Sequence, residues 1–221
     1  MPREEDEDRE TFSSPACSMH ELADDFVTPR AAARDLPSLP AGVGACDWPA
    51  VKAWRAQTRT ALIEQRTALE PRDRQERGVR AKERLRAEID VRDIAERHIA
   101  AGGVAALPVI VHKNAPVEFW PWTPGTSMRR GFWNIPVPAT GTAVRPDALI
   151  IPVVGFDAAC FRLGYGGGYY DRTLAALSPL PLRIGLGYAQ AQIATIYPQP
   201  HDVPMSAIVT DRALHCTAPT K

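Results

Sequence analysis

The residue types that could do chemistry concentrate in one stretch. Residues 156–175 read FDAACFRLGYGGGYYDRTLA, and four of the five residues from Gly164 to Gly168 are glycine. Such a run lets the backbone take positive φ and approach a ligand closely. Its N–H groups can converge into an anion nest, and a helix starting just after it adds its N-terminal partial positive charge. Arg162 stands before the loop, where a fixed guanidinium can pair with phosphate oxygens. Asp171 stands after it, where a carboxylate can hold Mg²⁺ beside those phosphates. The chemistry implied is the holding of phosphate. The loop lacks the Lys-Ser/Thr pair that ends a P-loop, and Tyr169 occupies the place of the third glycine in the dinucleotide pattern. A tight turn without a ligand is the alternative; Arg162 and Asp171 on the two flanks weigh against it.

The elements around the loop read as α/β. ALIIPVVGF (148–156) is a continuous apolar run that predicts one strand buried on both faces, which puts the loop at a strand's C-terminal end, where open α/β sheets bind ligands. A helix is predicted from Tyr169 to Leu177. Further strands are predicted over 104–112, 117–122 (weakened by Pro121), 182–188 and, as the last, 206–211. Residues 123–146, rich in Pro, Gly and Thr, read as an ordered loop. Upstream, Asp47 is a good N-cap with Pro49 in the first turn, and the stripe Trp48, Val51, Trp54, Ala61, Leu62 and Leu69 predicts a helix closed by Pro71. A charged helix over 72–86 and a third from Asp90 to Gly102-Gly103, with Ile94 and Ile99 inward, complete a helical N-terminal part. Strands alternating with helices predict a mainly parallel sheet with helices on both faces, a Rossmann-like three-layer arrangement. Residues 1–46 read as a flexible or docked arm with few apolar residues, Met19, Leu22, Phe26 and Val27 among them; 47–221 read as a single domain.

With 221 residues, 45% of them hydrophobic, the chain can bury one good core. A formal net charge of zero gives no global pull towards nucleic acid or an acidic membrane. No stretch is apolar enough to cross a bilayer, and the acidic start lacks the basic, then apolar, plan of a secretory signal. A cytoplasmic protein and a monomer are therefore expected. Cys17, Cys46, Cys160 and Cys216 form no C-x-x-C pair and read as free thiols.

The string GFDAACFRLGYGGGYYDR resembles the signature of the 5-formyltetrahydrofolate cyclo-ligase (5,10-methenyltetrahydrofolate synthetase) family. WRAQTRTALIEQR (54–66), FWNIPVP (132–138) and HDVPMSAIVTD (201–211) resemble further segments of that family, and SPACSMHE resembles the arm of a bacterial subgroup. The resemblance implies ATP- and Mg²⁺-dependent closure of 5-formyltetrahydrofolate to 5,10-methenyltetrahydrofolate, with release of ADP and phosphate. It implies that ATP is held by Leu163, Gly164, Tyr165, Gly166, Gly167, Gly168, Tyr169, Tyr170 and Asp171, together with Arg162 and the helix pair Arg55 and Arg59. Arg162 and Tyr170 would be catalytic, Asp171 and Asp202 would hold Mg²⁺, and Glu88, Trp133 and Tyr170 would line the folate site. Arg55 departs from the family's usual Lys, and Val137 stands where many bacterial relatives carry an acidic residue. RLRAEID (84–90) leaves no room for the apolar strand the family has before the residue matching Glu88. The sheet is therefore expected to lack that strand or to have only a stub of it, with its neighbour showing an unpaired edge or being covered by another segment.

Other readings remain for single residues. Arg55 and Arg59 could be a solvated helix face, Trp133 a loop anchor, Tyr170 packing, and Asp202 a turn cap. Two readings rival the enzyme: an Arg-rich nucleic-acid-binding module over 52–86, and a relative that binds nucleotide or folate without turnover. The module lacks an aromatic stacking platform.

Overall fold

The computed structural model describes residues 36–40, 42–70, 72, 73, 76 and 91–216. Helix α1 spans Trp48–Thr67, capped by the Asp47 carboxylate, which accepts from the Ala50 N–H at 3.2 Å. Its buried face is Val51, Trp54, Arg55, Thr58 and Leu62, a helical spacing that turns one charged residue inward with the apolar ones. Helix α2 spans Val91–Ala100, and its Ile94 and Ile99 are only half-buried. Of the predicted helix over 72–86 only Arg72, Asp73 and Glu76 are described, all three helical; the segment 84–90, Glu88 and the arm residues around Met19 to Val27 lie outside the described residues.

The largest sheet is four-stranded, in the order β10-β9-β8-β5: β5 (Ala148–Pro152), β8 (Leu182–Leu186), β9 (Ala207–Val209) and β10 (Leu214–Cys216). The β5–β8 and β8–β9 pairs are parallel and β9–β10 is antiparallel. Three two-stranded ribbons, all antiparallel, surround it: β1 (Ala106–Val109) with β2 (Glu118–Pro121), β3 (Met128–Arg130) with β4 (Pro136–Pro138), and β6 (Gly155–Phe156) with β7 (Arg162–Leu163). Helix α3 spans Tyr169–Ala176. The core holds Ile151, Phe156, Leu163, Leu174, Ile196, Met205 and Ile208, packed under the inner face of α1. Among the described residues no helix is long and apolar enough to cross a membrane.

Four expectations are corrected. The predicted strand over 148–156 is two strands. The ladder to β8 runs on past Pro152 to the Val153 amide, which bonds Leu186, and the chain then changes partner, Val154 bonding Leu163 in β7. The run at 104–112 is not a strand buried on both faces: β1 pairs only with β2 and is mostly half-buried. Residues 123–146 are not one loop, since β3, a 3₁₀ turn (Phe132–Asn134) and β4 lie within them; Pro136 and Pro138 masked the strand signal yet are tolerated in a two-stranded ribbon. A further strand, β10, follows the one predicted as last. Two of the three pairs in the four-stranded sheet are parallel, and an isolated parallel bridge joins Phe156 to Gln192, while the three ribbons are antiparallel. The outer edge of β5 has no strand partner among the described residues; the expectation of a missing strand at 84–90 falls outside them.

Asp157 makes the hairpin that carries the site. It is buried, its Oδ1 accepts from the Ala159 and Phe161 amides, and its Oδ2 accepts from the Ile196 amide. These bonds turn the chain between β6 and β7 and deliver Arg162 to the start of the glycine loop.

Part of the expected arm belongs to the body. Leu36 and Leu39 pack against the core, and the Trp54 indole N–H donates to the Pro37 carbonyl at 2.6 Å. Removing residues 1–46 is therefore expected to cost about 2 kcal/mol relative to removing 1–35, from lost burial and an orphaned indole donor. Urea unfolding of the two truncated chains checks this; equal midpoints would place the boundary at Asp47 after all.

Candidate functional site

The glycine loop joins β7 to α3. Gly166 (φ +94°) and Gly168 (φ +65°) take left-handed conformations that disfavour a side chain, and Gly168 is the N-cap of α3. No amide from Gly164 to Gly168 donates a hydrogen bond to a described residue. The carbonyl side of the loop, by contrast, is tied down by cations. Arg59 Nε donates to the Gly164 carbonyl at 2.6 Å, and Arg172 Nη2 donates to the Gly167 carbonyl at 2.8 Å. Arg66 Nη1 donates to the Tyr165 hydroxyl at 2.8 Å. None of Arg59, Arg66 and Arg172 has a carboxylate partner among the described residues. Burial, and the nearby charge of Arg55, pull the Arg59 pKa below its ordinary value. A loop whose amides have no described partner, ringed by three guanidiniums without a described carboxylate, has the chemistry to hold a multiply charged anion.

Arg162 and Asp171 close the loop's two ends together. Arg162 is buried, its Nη2 donates to Asp171 Oδ1 at 2.7 Å, and its guanidinium lies 6.0 Å from the Tyr170 ring centre. The other Asp171 oxygen has no described partner. Burial pushes the Tyr170 phenol up to about 12, against the opposing pull of Arg162. Its hydroxyl has no described partner and stays a neutral donor at physiological pH, available to a ligand.

Arg55 and Asp202, expected at nucleotide and metal, are joined to each other. Arg55 Nη2 meets Asp202 Oδ2 at 2.5 Å and Nη1 meets Oδ1 at 3.2 Å, a two-pronged pair with both side chains buried. Arg55 also donates from Nε to the Ile196 carbonyl and from Nη2 to the Tyr197 carbonyl, so four of the five donors a guanidinium carries are used. Asp202 Oδ2 accepts in addition from the Gln199 amide at 2.7 Å. Among the described residues no three His, Cys, Asp or Glu side chains gather as metal ligands.

These groups face one large cavity of about 1560 Å³, with α1, the glycine loop, β5 and the Phe132–Asn134 turn on its walls. Trp133 projects there, 58% exposed, and meets Tyr169 edge-to-face with ring centres 5.6 Å apart. Val137 lies on the same wall, buried. Leu163 lies in the core, so only its backbone leads into the loop. Sequence reasoning missed Arg66 and Arg172. Arg66 lies seven residues, two helical turns, after Arg59, on the same face of α1. Arg172 directly follows Asp171 in the string that carried the signal.

Two outcomes test this geometry without any substrate. Asp202→Asn is expected to lower stability by about 3 kcal/mol in metal-free buffer, because it strands a buried guanidinium; unchanged urea unfolding would mean the pair does not anchor α1. A phenol held protonated by the fold stabilises the protein fully below its unfolded pKa of about 10. Stability is therefore expected to fall as pH rises from there to about 12. Tyr170→Phe is expected to remove that part of the slope, as read by unfolding at stepped alkaline pH.

A profile described as the 5-formyltetrahydrofolate cyclo-ligase family matches residues 51–211. The chain is 40% identical over 65 residues to a Mycoplasma pneumoniae protein named 5-formyltetrahydrofolate cyclo-ligase, covering 29% of this chain and 39% of that one. It is 27% identical over 122 residues to the protein of that name from Mycolicibacterium smegmatis, covering 52% and 58%. The chain thus spans between about two fifths and three fifths of these curated relatives' length. The NMR structure of Aquifex aeolicus 5,10-methenyltetrahydrofolate synthetase superposes with a TM-score of 0.61 at 20% identity, over 76% of this chain and 94% of that one, which shows the fold. With the family profile covering most of the chain, this protein belongs to the 5-formyltetrahydrofolate cyclo-ligase family.

Proposed function

We propose that the chain closes 5-formyltetrahydrofolate to 5,10-methenyltetrahydrofolate, consuming ATP and releasing ADP and phosphate. The observation that carries this reading is the loop of unpaired amides ringed by Arg59, Arg66 and Arg172. That charge surplus suits a nucleotide's phosphates and has no carboxylate partner among the described residues.

The reaction needs a leaving group that the substrate lacks. A formyl oxygen departs poorly. Attack of that oxygen on the γ-phosphorus breaks the bond to ADP and leaves an imidate phosphate on N5. The N10 amine then adds to the activated carbon, loses its proton, and phosphate departs with the C–O bond. In this site the loop amides hold the polyphosphate. Arg162, buried and fixed by Asp171, offers its charge to the transferring phosphoryl group. Tyr170 supplies a hydroxyl that stays protonated and can donate to the formyl or phosphoryl oxygen. The exposed Trp133 ring gives the flat apolar surface a pterin needs. The resemblance adds Glu88 at the pterin, outside the described residues.

Magnesium fits in a restricted way. It is commonly held by one or two carboxylates plus substrate phosphates, not by a protein cage. Asp171, with one uncommitted oxygen at the loop, suits that role; when bound, the ion would neutralise phosphate charge. Asp202 is committed to Arg55 and in our reading anchors it instead, so Arg55 supports the site from behind while Arg59 stands nearer the phosphates.

Mixing the protein with MgATP and 5-formyltetrahydrofolate is expected to raise the near-ultraviolet absorbance of the methenyl product and to release ADP. Asp171→Asn is expected to lower turnover by about a hundredfold or more, on the order of 3 kcal/mol, with the fold intact. Absence of product from folded protein that still binds MgATP would overturn the catalytic reading and leave a non-catalytic nucleotide binder.

A further inference from the structure

Arg172 sits in the first turn of α3, where the helix already presents partial positive charge, so its position does nothing for the helix itself. It is nonetheless held in a defined pose. Nη2 bonds the Gly167 carbonyl, and the guanidinium lies 4.9 Å from the Tyr169 ring centre. Gly168 makes room for it, since a Cβ there would come within 2.8 Å of Nη1. Its Nε is buried without a hydrogen-bond partner. Tyr169 lies in turn across Gly167, where a Cβ would fall 2.8 Å from its ring, and then meets Trp133.

Trp133 needs that support. It has φ +54°, and Asn134 after it has φ +61°. Two consecutive left-handed residues with side chains cost energy and persist only where surrounding contacts enforce them. The backbone of the turn is closed by the Gly131 amide to the Ile135 carbonyl and by Arg130 Nη1 to the Asn134 carbonyl. The indole, however, is largely exposed, and Tyr169 is the ring it meets among the described residues. Arg172, Tyr169 and Trp133 thus form one stack, whose first member also grips the phosphate loop.

We infer that Arg172 is a positioning residue for both halves of the site: through the Gly167 carbonyl it sets the loop, and through Tyr169 it sets the Trp133 wall. What the two halves bind rests on the function proposed above. The geometry requires a planar, forked cation, because a lysine cannot lie on the Tyr169 ring and bond the carbonyl with the same group in the same way.

Hydrogen exchange and backbone NMR order parameters on the ligand-free protein read the brace directly. Arg172→Lys is expected to speed exchange in 131–135, where the amides of Gly131, Asn134 and Ile135 are bonded, and to lower the order parameters of 164–168, whose amides carry no bond to a described residue. Tyr169→Leu, which breaks the ring contacts and spares the carbonyl bond, is expected to loosen 131–135 while the loop keeps more of its order. In turnover assays, Arg172→Lys is expected to raise KM for MgATP and for 5-formyltetrahydrofolate by roughly tenfold each, the worth of a hydrogen bond and a cation–π contact together. Arg66→Met, which releases only Tyr165, is expected to raise the MgATP value alone. If Arg172→Lys leaves 131–135 unchanged, or shifts one KM only, Arg172 is not a shared brace. Neither exchange nor order parameters need turnover, so a protein inactive as isolated but showing both segments loosened would refute the proposed reaction and keep this inference.

Discussion

The structure turns on collecting positive charge around the glycine loop without a carboxylate partner among the described residues. Arg59, Arg66 and Arg172 surround a loop whose amides have no described partner, and their described hydrogen bonds go to carbonyl or hydroxyl oxygens. Holding charge there has a cost: burial first, and then the nearby charge of Arg55, pull the Arg59 pKa down. The rest of the molecule holds the arrangement in place. Helix α1 is pinned by its apolar stripe and by Arg55, the Asp157 hairpin fixes the approach to the loop, and Gly166 and Gly168 supply the turns.

The five arginines divide by partner. Arg55 and Arg162 each meet a carboxylate and are buried, so their charge is balanced and their geometry fixed. Buried pairs of this kind add little net stability, because desolvation offsets their attraction, but they specify where a charge must sit. Arg59, Arg66 and Arg172 have no carboxylate partner among the described residues. This division explains how Asp202 can lie near the site and yet serve the fold: its two oxygens are taken up by a residue where the resemblance leads one to expect Lys. A lysine, with one compact ammonium, would not fill both oxygens and two carbonyls at once.

Much of the site was legible in the sequence, and the reason is local. The glycine run, Arg162, Asp171 and Tyr170 lie within ten residues, so their mutual placement follows from a turn and the first helical turn. The helix from Trp48 to Thr67 was legible from its cap and stripe. The sheet was less so. A continuous apolar run such as 104–112 has the same appearance whether it lies in a buried parallel sheet or a half-covered ribbon. The prolines at 136 and 138 hid a strand whose pairing does not need their N–H groups. The break in 148–156 depends on which neighbour each amide finds.

By itself, then, the chain's order of residues determined a glycine loop between a strand and a helix, its flanking charges and the helix carrying Arg55 and Arg59, because these depend on φ, capping and helical spacing. Only the tertiary structure decided which arginine keeps a counter-ion. Arg55 and Asp202 are 147 residues apart, and Arg66 and Tyr165 are 99 apart. Contacts at such separations are set by how α1 packs across the hairpin and the C-terminal segments, and no local pattern encodes that packing.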